Sequence, residues 1–349
     1  MNKIKSFQIK NRLVSDGEPC FILGEIGQTH NGSIQKVFKL IDKISKTGCD
    51  AIKFQMHFAD EESTLDEKFR VKIKNFKNRY DYWKSVEFTL EEWFKIKRYC
   101  EKKNIIFISS VFSKKGVDFL RKIKVPAWKI PSGEYESDDI LNEIYKTKIP
   151  VLFSTGMMSL NEIINLHSRL NKKKVIHSIL HCVSNYPLNL KDVGLNNISI
   201  FKKKFNCPIG YSDHSGNIST LITAMVMGCN LLEAHIKIGN DDKGPDSSSS
   251  INIHELKYLC NFRDDLFVLN NNFTDKRKLP KNIIKMKKLF GKSLALKNDL
   301  EKGSFIYQNN LTFKKPGTGY KKSDIKKILG RKVKKFVSSK RILKADDLK

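Results

Sequence analysis

The chain has 349 residues, of which 40% are hydrophobic and 29% are charged, as in a globular rather than a disordered protein. No segment approaches the roughly 18 consecutive apolar residues of a membrane span, and residues 1–19 lack the apolar core of a secretory signal. The formal net charge of +28 comes mainly from lysines spread along the whole chain without aromatic interleaving. This pattern favours solvated lysine faces over a nucleic-acid site, and we expect no membrane association.

The seven cysteines are odd in number, scattered and never spaced CxxC. This usage argues against a disulfide framework or a zinc site and predicts reduced thiols in a cytoplasmic protein.

Eight short apolar runs recur along the chain, and each is followed by a polar or glycine-containing loop. They span residues 21–25, 51–55, 105–109, 127–130, 151–154, 179–182, 208–212 and 231–235. Helical patterns lie between them, for example at 34–48, 90–104, 116–123 and 160–165. Eight strands alternating with helices predict an α/β fold, a (β/α)8 TIM barrel whose catalytic groups lie at the carboxyl ends of the strands.

Two other regions interrupt this alternation. The longest gap, 56–104, holds the aromatic and charged stretch 76–88, which we interpret as part of an extended active-site loop. The polar segment 269–284 is interpreted as a linker between a barrel domain, 1–268, and a second domain, 285–349. Short strands, tight Gly/Pro turns and one short helix are predicted for the second domain.

Polar and ionisable residues stand at the end of every predicted strand. They are Glu25, Lys53, Gln55, Ser109, Ser110, Lys129, Ser132, Ser154, Thr155, His181, Ser212, Asp213, His214, Glu233 and His235. Any one of them is explained by a turn or a cap, but turns alone do not explain eight successive strand ends. The sequence therefore predicts an enzyme.

His214 and His235 end adjacent predicted strands, so their imidazoles face the same cavity. Two neutral imidazoles with open positions for substrate suit a divalent metal ion. The alternative is a pair of hydrogen-bonded structural histidines. Asp213 either caps the following helix or orients His214.

Lys53 and Lys129 leave different strands but point to the same barrel mouth. With the hydroxyls of Ser132, Ser154 and Ser212 they form a suitable cage for a phosphate and a carboxylate. A Schiff-base role for one lysine is the competing chemistry. Glu25, in the same mouth, is an acid/base candidate.

The motifs at these strand ends carry a family resemblance. They read GEIGQTHNG, AIKFQ, FISSVFS, PAWKIPSGE, STGMMS, LHCVSNYP, GYSDHSG, LEAHI with KGPD, and KKPGTG. In this order the chain resembles the sialic acid synthase family, of the N-acetylneuraminate, legionaminate and pseudaminate type. The C-terminal part resembles the small antifreeze-like (SAF, β-clip) domain of that family, which reaches across a homodimer to cover the partner's active site.

The resemblance implies a transferase that joins phosphoenolpyruvate to an open-chain 2-acetamido hexose, giving a nine-carbon 2-keto acid and phosphate by C–O cleavage. It makes His214 and His235 ligands of a divalent ion, usually Mn²⁺, with Mg²⁺ or Co²⁺ possible, and Glu25 the catalytic carboxylate. The resemblance implies that phosphoenolpyruvate is bound by Lys53, Ser110, Lys129, Ser132, Ser154 and Ser212. It likewise implies that the amino sugar is contacted by Gln55, Glu134, Tyr186 and Asp246. Products of this kind serve lipopolysaccharide or capsule biosynthesis.

Two departures from the family pattern bear on the sugar. Lys315 stands where the family usually has an arginine before Pro-Gly. An arginine would hold the acyl group of the sugar with two hydrogen bonds, whereas the lysine offers a single point charge. Val183-Ser184 replaces the usual Thr-Asn or Thr-Ser, which changes a wall near both substrates. N-acetylmannosamine and a 6-deoxy-2,4-diacetamido hexose both stay open as substrates. The rival interpretations are another phosphoenolpyruvate-condensing aldose synthase and an inactive carbohydrate-binding protein.

Overall fold

The computed structural model describes residues 4–69, 73, 76–239 and 245–349. Two short antiparallel strands come first, β1 (Phe7–Ile9) and β2 (Arg12–Val14). Their buried side chains cluster with the first residues of several later strands, including Phe21 and Ala51. The hairpin therefore closes the amino-terminal end of the barrel described next.

The eight predicted strands are all present, with bounds shifted by a few residues at most. They are β3 (Phe21–Glu25), β4 (Ala51–Met56), β5 (Ile106–Val111), β6 (Trp128–Ile130), β7 (Val151–Ser154), β8 (His177–Cys182), β9 (Ile209–Asp213) and β10 (Leu231–Lys237). Each strand pairs in parallel with the next, and β10 also pairs with β3. This pairing closes the sheet, so the predicted TIM barrel is confirmed. A further strand, β11 (Ser250–Asn252), pairs in parallel with the last three residues of β10.

Helices follow the strands of the barrel along the chain. They are α1 (Ile34–Ile44), α2 (Ala59–Glu62), α3 (Arg79–Val86), α4 (Leu90–Lys102), α5 (Lys114–Ile123), α6 (Asp138–Tyr145), α7 (Leu160–Lys172), α8 (Asn196–Lys204), α9 (Ile218–Val226) and α10 (Ile253–Asn271). Capping boxes begin α4 at Thr89 and α7 at Ser159, each with a glutamate three residues on. None of the helices among the described residues combines the length and the apolarity needed to cross a membrane.

The segment 56–104 differs from the extended loop that the sequence predicts. It contains α2 and α3 as well as the predicted helix α4, while 70–72 and 74–75 lie outside the described residues. Asn78 caps α3 by accepting a hydrogen bond from the Asp81 amide. Tyr82 and Trp83 of α3 are buried in a small cluster of their own, which explains why a helix forms there.

The chain divides into two compact units, Met1–Asn272 and Phe273–Lys349. The second unit contains α11 (Lys281–Phe290), β12 (Ser293–Leu296), β13 (Leu311–Lys314) and α12 (Ile325–Ile328). Strands β12 and β13 pair in antiparallel register around a small apolar core. The segment 269–284, predicted to be a linker, holds the end of α10 and the start of α11.

Candidate active site

A cavity of about 740 Å³ opens at the carboxyl ends of the barrel strands. The sequence-predicted residues that line it are Lys53, Gln55, Ser110, Lys129, Ser132, Glu134, Ser154, Ser184, Tyr186, Ser212, His214, His235 and Asp246. Glu25 is buried behind this lining, and Lys315 belongs to the second compact unit. The barrel therefore gathers the predicted residues of the first unit at one place.

Lys53 is a buried ammonium held by several partners. It forms an ion pair with Glu25 and donates a hydrogen bond to Ser110 Oγ at 2.8 Å. A carboxylate oxygen of Glu233 lies 3.9 Å from its Nζ. Burial alone would lower the pKa of Lys53, but the charges of Glu25 and Glu233 raise it above its usual value. Lys53 is therefore a cation in the free protein.

Lys129 is buried as deeply but is less well compensated. It donates to Ser154 Oγ at 2.7 Å, and its Nζ lies 3.5 Å from Glu233 Oε2. Burial lowers the pKa of Lys129 despite the attraction of Glu233. A bound anion beside Lys129 would therefore stabilise its charged form.

Glu233 is the residue of the cavity floor to which sequence reasoning assigned no role. It lies between the two lysines, and its Oε1 accepts a hydrogen bond from Ser212 at 3.0 Å. Burial would raise its pKa, but the charges of Lys129 and Lys53 lower it to about 2. Strand alternation could have found it, because Glu233 and His235 are two residues apart in β10 and share one face.

Glu25 is fixed by three partners on the inner face of β3. Its Oε1 accepts hydrogen bonds from the Gly27 amide at 2.9 Å and from Gln55 Nε2 at 3.0 Å, and Lys53 pairs with Oε2. Gly27 has a φ of +47°, and a Cβ there would lie 3.1 Å from Asp246 Oδ2. A side chain at position 27 would therefore be both strained and crowded beside this carboxylate.

His214 and His235 lie side by side, with ring centroids 5.4 Å apart. The Nδ1 of His214 donates to the Val183 carbonyl at 2.9 Å, so its Nε2 carries the lone pair, 2.8 Å from the Tyr186 hydroxyl. Burial lowers the pKa of His214 to about 3, which keeps the ring neutral. On the other side, His235 Nδ1 lies 4.0 Å from Asp246 Oδ2. Two imidazoles, one a neutral ring fixed by a backbone carbonyl, together with a nearby carboxylate, fit a divalent ion.

Asp213, which stands next to His214 in the sequence, has a structural role. Its carboxylate accepts hydrogen bonds from the backbone amides of Ser215 and Gly216, each at 3.1 Å. The hydroxyls of Tyr211 and Thr220 donate to it at 2.6 and 2.9 Å. Asp213 therefore shapes the loop that follows β9.

Three more polar residues near the strand ends are also structural. Ser109, Thr155 and His181 each hydrogen-bond a backbone carbonyl oxygen. They do not line the cavity. A residue at the end of a barrel strand therefore contributes to the site only if its side chain points inward.

The predicted sugar contacts occupy the outer part of the cavity. Glu134 accepts a hydrogen bond from Ser137 at 2.6 Å, and burial raises the pKa of its carboxyl group. The nearby Ser132, which was predicted to contact phosphoenolpyruvate, accepts a hydrogen bond from the Met157 amide at 2.7 Å. Sequence reasoning missed His57, Glu62 and several aromatic residues that also line this part.

A second group of potential metal ligands among the described residues lies elsewhere. It comprises His167, His177 and Cys207, and His177 is the first residue of β8, at the opposite end of the barrel. The two rings hydrogen-bond each other at 2.9 Å, and their outer nitrogens bond Asn171 and Val175. This network satisfies all four ring nitrogens without an ion.

Comparisons with known proteins agree with the fold and with the motifs at the site. Residues 40–269 match the NeuB family, and residues 291–349 match the SAF domain. The N,N'-diacetyllegionaminic acid synthase of Legionella pneumophila is 32% identical over 336 residues, covering 92% of each chain. Human N-acetylneuraminate-9-phosphate synthase is 31% identical over 328 residues, covering 92% of this chain and 90% of that protein.

A solved structure shows the same similarity. The N-acetylneuraminic acid (sialic acid) synthetase of Leptospira borgpetersenii aligns with a TM-score of 0.70 and 26% identity, covering 82% of this chain and 96% of that one. The similarity therefore extends over most of the length of both chains.

Proposed function

The chain belongs to the NeuB family, and we propose on this basis that it condenses phosphoenolpyruvate with an open-chain 2-acetamido hexose. The products are a nine-carbon 2-keto sugar acid and phosphate. The matched relatives are named as synthases of sugar acids of this type. The observation that carries the proposal is the buried pair of ammonium groups on the cavity floor.

Lys129 gives the strongest support for an anionic substrate. Its ammonium is buried and its ion pair with Glu233 is long, at 3.5 Å. Ser154 already contacts it, and Ser132 and Ser110 add hydroxyls to the same wall. Phosphate and carboxylate groups of phosphoenolpyruvate would complete the coordination of this charge. Because Lys53 is ion-paired with Glu25, we propose that both lysines act through charge and that neither forms a Schiff base.

The condensation forms one carbon–carbon bond and one carbon–oxygen bond, the latter from water at C2, and breaks the carbon–oxygen bond between C2 and the phosphate. C3 of phosphoenolpyruvate attacks the aldehyde carbon of the sugar, water adds to C2, and the C2–O bond breaks to release phosphate. The lysines and serines hold the two reactants close together, which lowers the entropic cost of reaching the transition state. We propose Glu25 as the group that takes up a proton during the addition of water.

The metal proposal concerns His214 and His235. We propose that they hold a divalent ion, Mn²⁺ in the first place and Mg²⁺ or Co²⁺ as alternatives. When bound, such an ion supplies a Lewis acid for the aldehyde oxygen of the sugar. The Tyr186 hydroxyl lies 2.8 Å from His214 Nε2, so an ion bound at that nitrogen would take the place of this hydrogen bond.

The outer cavity favours a sugar without a phosphate group. Its acidic lining residues are Glu61, Glu62, Glu67, Glu134, Asp139 and Asp246. The basic residues there are Arg79, Lys114 and His57; Arg79 is already paired with Glu67 at 3.1 Å, and His57 Nδ1 lies 2.6 Å from Glu62 Oε1. Carboxylates accept hydrogen bonds from hydroxyl and amide groups but repel phosphate. We therefore propose N-acetylmannosamine or a 6-deoxy-2,4-diacetamido hexose as substrate.

For the second unit we propose the arrangement that the family resemblance implies. The enzyme would be a homodimer in which the SAF domain of one chain covers the sugar site of the other. Lys315 follows β13, and its Nζ lies 5.3 Å from the centre of the Phe290 ring in the same unit. A single ammonium at this position gives a less directional contact with an acyl group than arginine would.

The test is phosphate release from phosphoenolpyruvate by the purified full-length chain. Release is expected only when a divalent metal and an amino sugar are both present, and it should be faster with a free sugar than with its 6-phosphate. A faster reaction with the phosphorylated sugar would contradict the substrate class. Carbohydrate binding without phosphate release would indicate an inactive binding protein.

A further inference from the structure

His57 is a buried imidazole in the cavity wall that the proposed reaction does not use. It lies two residues beyond Gln55, and 6% of its side chain is exposed. Its ring is stacked between Trp83 and Phe112, with centroid distances of 4.0 and 4.2 Å and interplanar angles of 20° and 15°. Both faces of the imidazole are therefore covered by aromatic rings.

Both ring nitrogens of His57 have polar partners. Nδ1 lies 2.6 Å from Glu62 Oε1, and Nε2 lies 3.2 Å from Gln55 Oε1. A neutral imidazole has one N–H and one lone pair, so it donates to only one of two acceptors. The protonation of His57 therefore depends on which atom of the Gln55 amide faces it.

The other contacts of Gln55 fix the orientation of its amide. Its Nε2 donates to Glu25 Oε1 at 3.0 Å, and Glu25 is an acceptor because it is ion-paired with Lys53. The Gln55 oxygen then faces His57 and also accepts from Gln28 Nε2 at 3.4 Å. With Glu62 as a carboxylate, His57 faces an acceptor at each nitrogen, and the network then gives it two N–H groups.

The surroundings of His57 suit the resulting positive charge. Glu62 supplies a carboxylate of which 7% is exposed, and the faces of Trp83 and Phe112 attract a cation. A buried charge needs such compensation, since an unpaired one is costly. His57 Nδ1 and Glu62 Oε1 thus lie within ion-pair distance, both buried in the active-site wall.

We infer that the His57–Glu62 pair is a positioning device that locks the Gln55 amide and, through it, the carboxylate of Glu25. A flipped Gln55 would bring its NH₂ group against an N–H of His57 and its oxygen against the Glu25 carboxylate. Both contacts are repulsive, so the cationic form of His57 allows one amide orientation. The inference rests on the proposed function, because it gives Glu25 a part in the reaction.

The protonation of His57 can be measured without turnover. In ¹⁵N-histidine-labelled protein at neutral pH, we expect the two ring nitrogens of His57 to show the shifts of an imidazolium ion. Glu62→Gln removes the carboxylate that faces Nδ1 and should abolish the imidazolium signal, whereas Glu61→Gln, at the exposed neighbouring residue, should not. A neutral ring in the wild type would overturn the inference. Direct detection is needed because other titratable groups, Glu134 and His30, also interact with His57 electrostatically.

Kinetics test the positioning role. His57→Phe keeps an aromatic ring in the stack but removes both hydrogen bonds. We expect kcat to fall by about tenfold or more, while the Michaelis constant for phosphoenolpyruvate stays within about twofold. His57→Gln, whose amide can donate to Gln55, should recover part of the loss. Thermal unfolding of both variants checks that they fold.

The background mutation Gln55→Ala separates positioning from a general structural effect. If His57 acts through Gln55, His57→Phe should cause no further loss of kcat in this background. Equal losses in both backgrounds, or a wild-type kcat in His57→Phe, would overturn the positioning role. A wild-type protein without turnover would instead refute the proposed function, and the NMR result would still show whether the ion pair exists.

Discussion

The ammonium group of Lys129 and the carboxylate of Glu233 meet at the floor of the barrel cavity, with Nζ and Oε2 3.5 Å apart. Lys53 approaches the same carboxylate from β4, with Nζ 3.9 Å from Oε1. All three side chains are buried. Glu233 is therefore shared by the two cations that are proposed to bind phosphoenolpyruvate.

Replacing Glu233 should change the pH dependence of phosphoenolpyruvate binding. Burial lowers the pKa of Lys129 and Glu233 raises it, so Glu233→Gln should lower it further. As pH rises, Lys129 would then lose its proton at a lower pH than in the wild type. Its attraction for phosphoenolpyruvate would be lost at the same point. We expect the alkaline limb of kcat/KM for phosphoenolpyruvate to move to lower pH. An unmoved limb, as expected for the surface control Glu91→Gln, would contradict this role.

Removing Lys129 should weaken the binding of phosphoenolpyruvate, because this lysine acts through its charge and forms no covalent adduct. A charge-assisted hydrogen bond contributes roughly 1.5–3 kcal/mol, so Lys129→Ala should raise the dissociation constant of phosphoenolpyruvate by about 10- to 150-fold. Calorimetric titration gives this value directly. Borohydride treatment of the wild type with pyruvate or phosphoenolpyruvate should give no adduct. A reduced adduct on Lys53 or Lys129 would indicate a Schiff-base aldolase.

Lys53 should matter for stability as well as for binding. Lys53→Met leaves the buried carboxylate of Glu25 without its ion-pair partner, a change that typically costs about 3–5 kcal/mol. We expect a clear fall in Tm. Adding Glu25→Gln removes the unpaired charge and should restore much of the Tm, though not the activity. A double variant no more stable than Lys53→Met would show that the pair is not the source of the loss.

The metal proposal predicts loss of binding on removal of one histidine. His214→Ala should abolish high-affinity binding of Mn²⁺ in calorimetry while the protein stays folded, because the remaining imidazole makes a poorer site. Chelation should stop turnover of the wild type, and added Mn²⁺ should restore it. His254→Ala, at an exposed histidine, is the control. Full activity of His214→Ala in excess chelator would refute the metal site.

The proposed arrangement of subunits can be tested by mixing two defective chains. Lys315→Ala should raise the Michaelis constant for the amino sugar far more than that for phosphoenolpyruvate. Glu25→Gln and Lys315→Ala chains would be mixed so that they exchange subunits. If each active site is built from both chains, every mixed dimer has one site with both defects and one site with neither. Activity should partly return. No recovery after verified exchange would mean that the small domain does not act on the partner's site.

The fold and most of the cavity residues follow from the sequence because barrel strands are short apolar runs with polar ends. The inward side chains also follow a period of two, as Lys53, Gln55 and His57 show along and just beyond β4. The sequence prediction named Lys53 and Gln55 as strand-end residues but did not reach His57. The same rule applied backward from His235 would have given Glu233 a role.

Other parts of the site depend on contacts between distant segments. Glu62 reaches His57 from α2, and Trp83 reaches it from α3, in a region interpreted from the sequence as a loop. Single-sequence patterns do not show which side chains such short helices bring together. Asp213 illustrates the converse, because its neighbours in the sequence suggest a site while its hydrogen bonds are those of a loop.

The most direct test of the proposed reaction uses phosphoenolpyruvate labelled with ¹⁸O at the oxygen that bridges C2 and phosphorus. The enzyme would be given this substrate with an amino sugar and Mn²⁺, and the phosphate examined by ³¹P NMR. C–O cleavage predicts that the phosphate carries the label and that a nine-carbon 2-keto acid forms in equal amount. Unlabelled phosphate, or phosphate released without an amino sugar, would contradict the proposal.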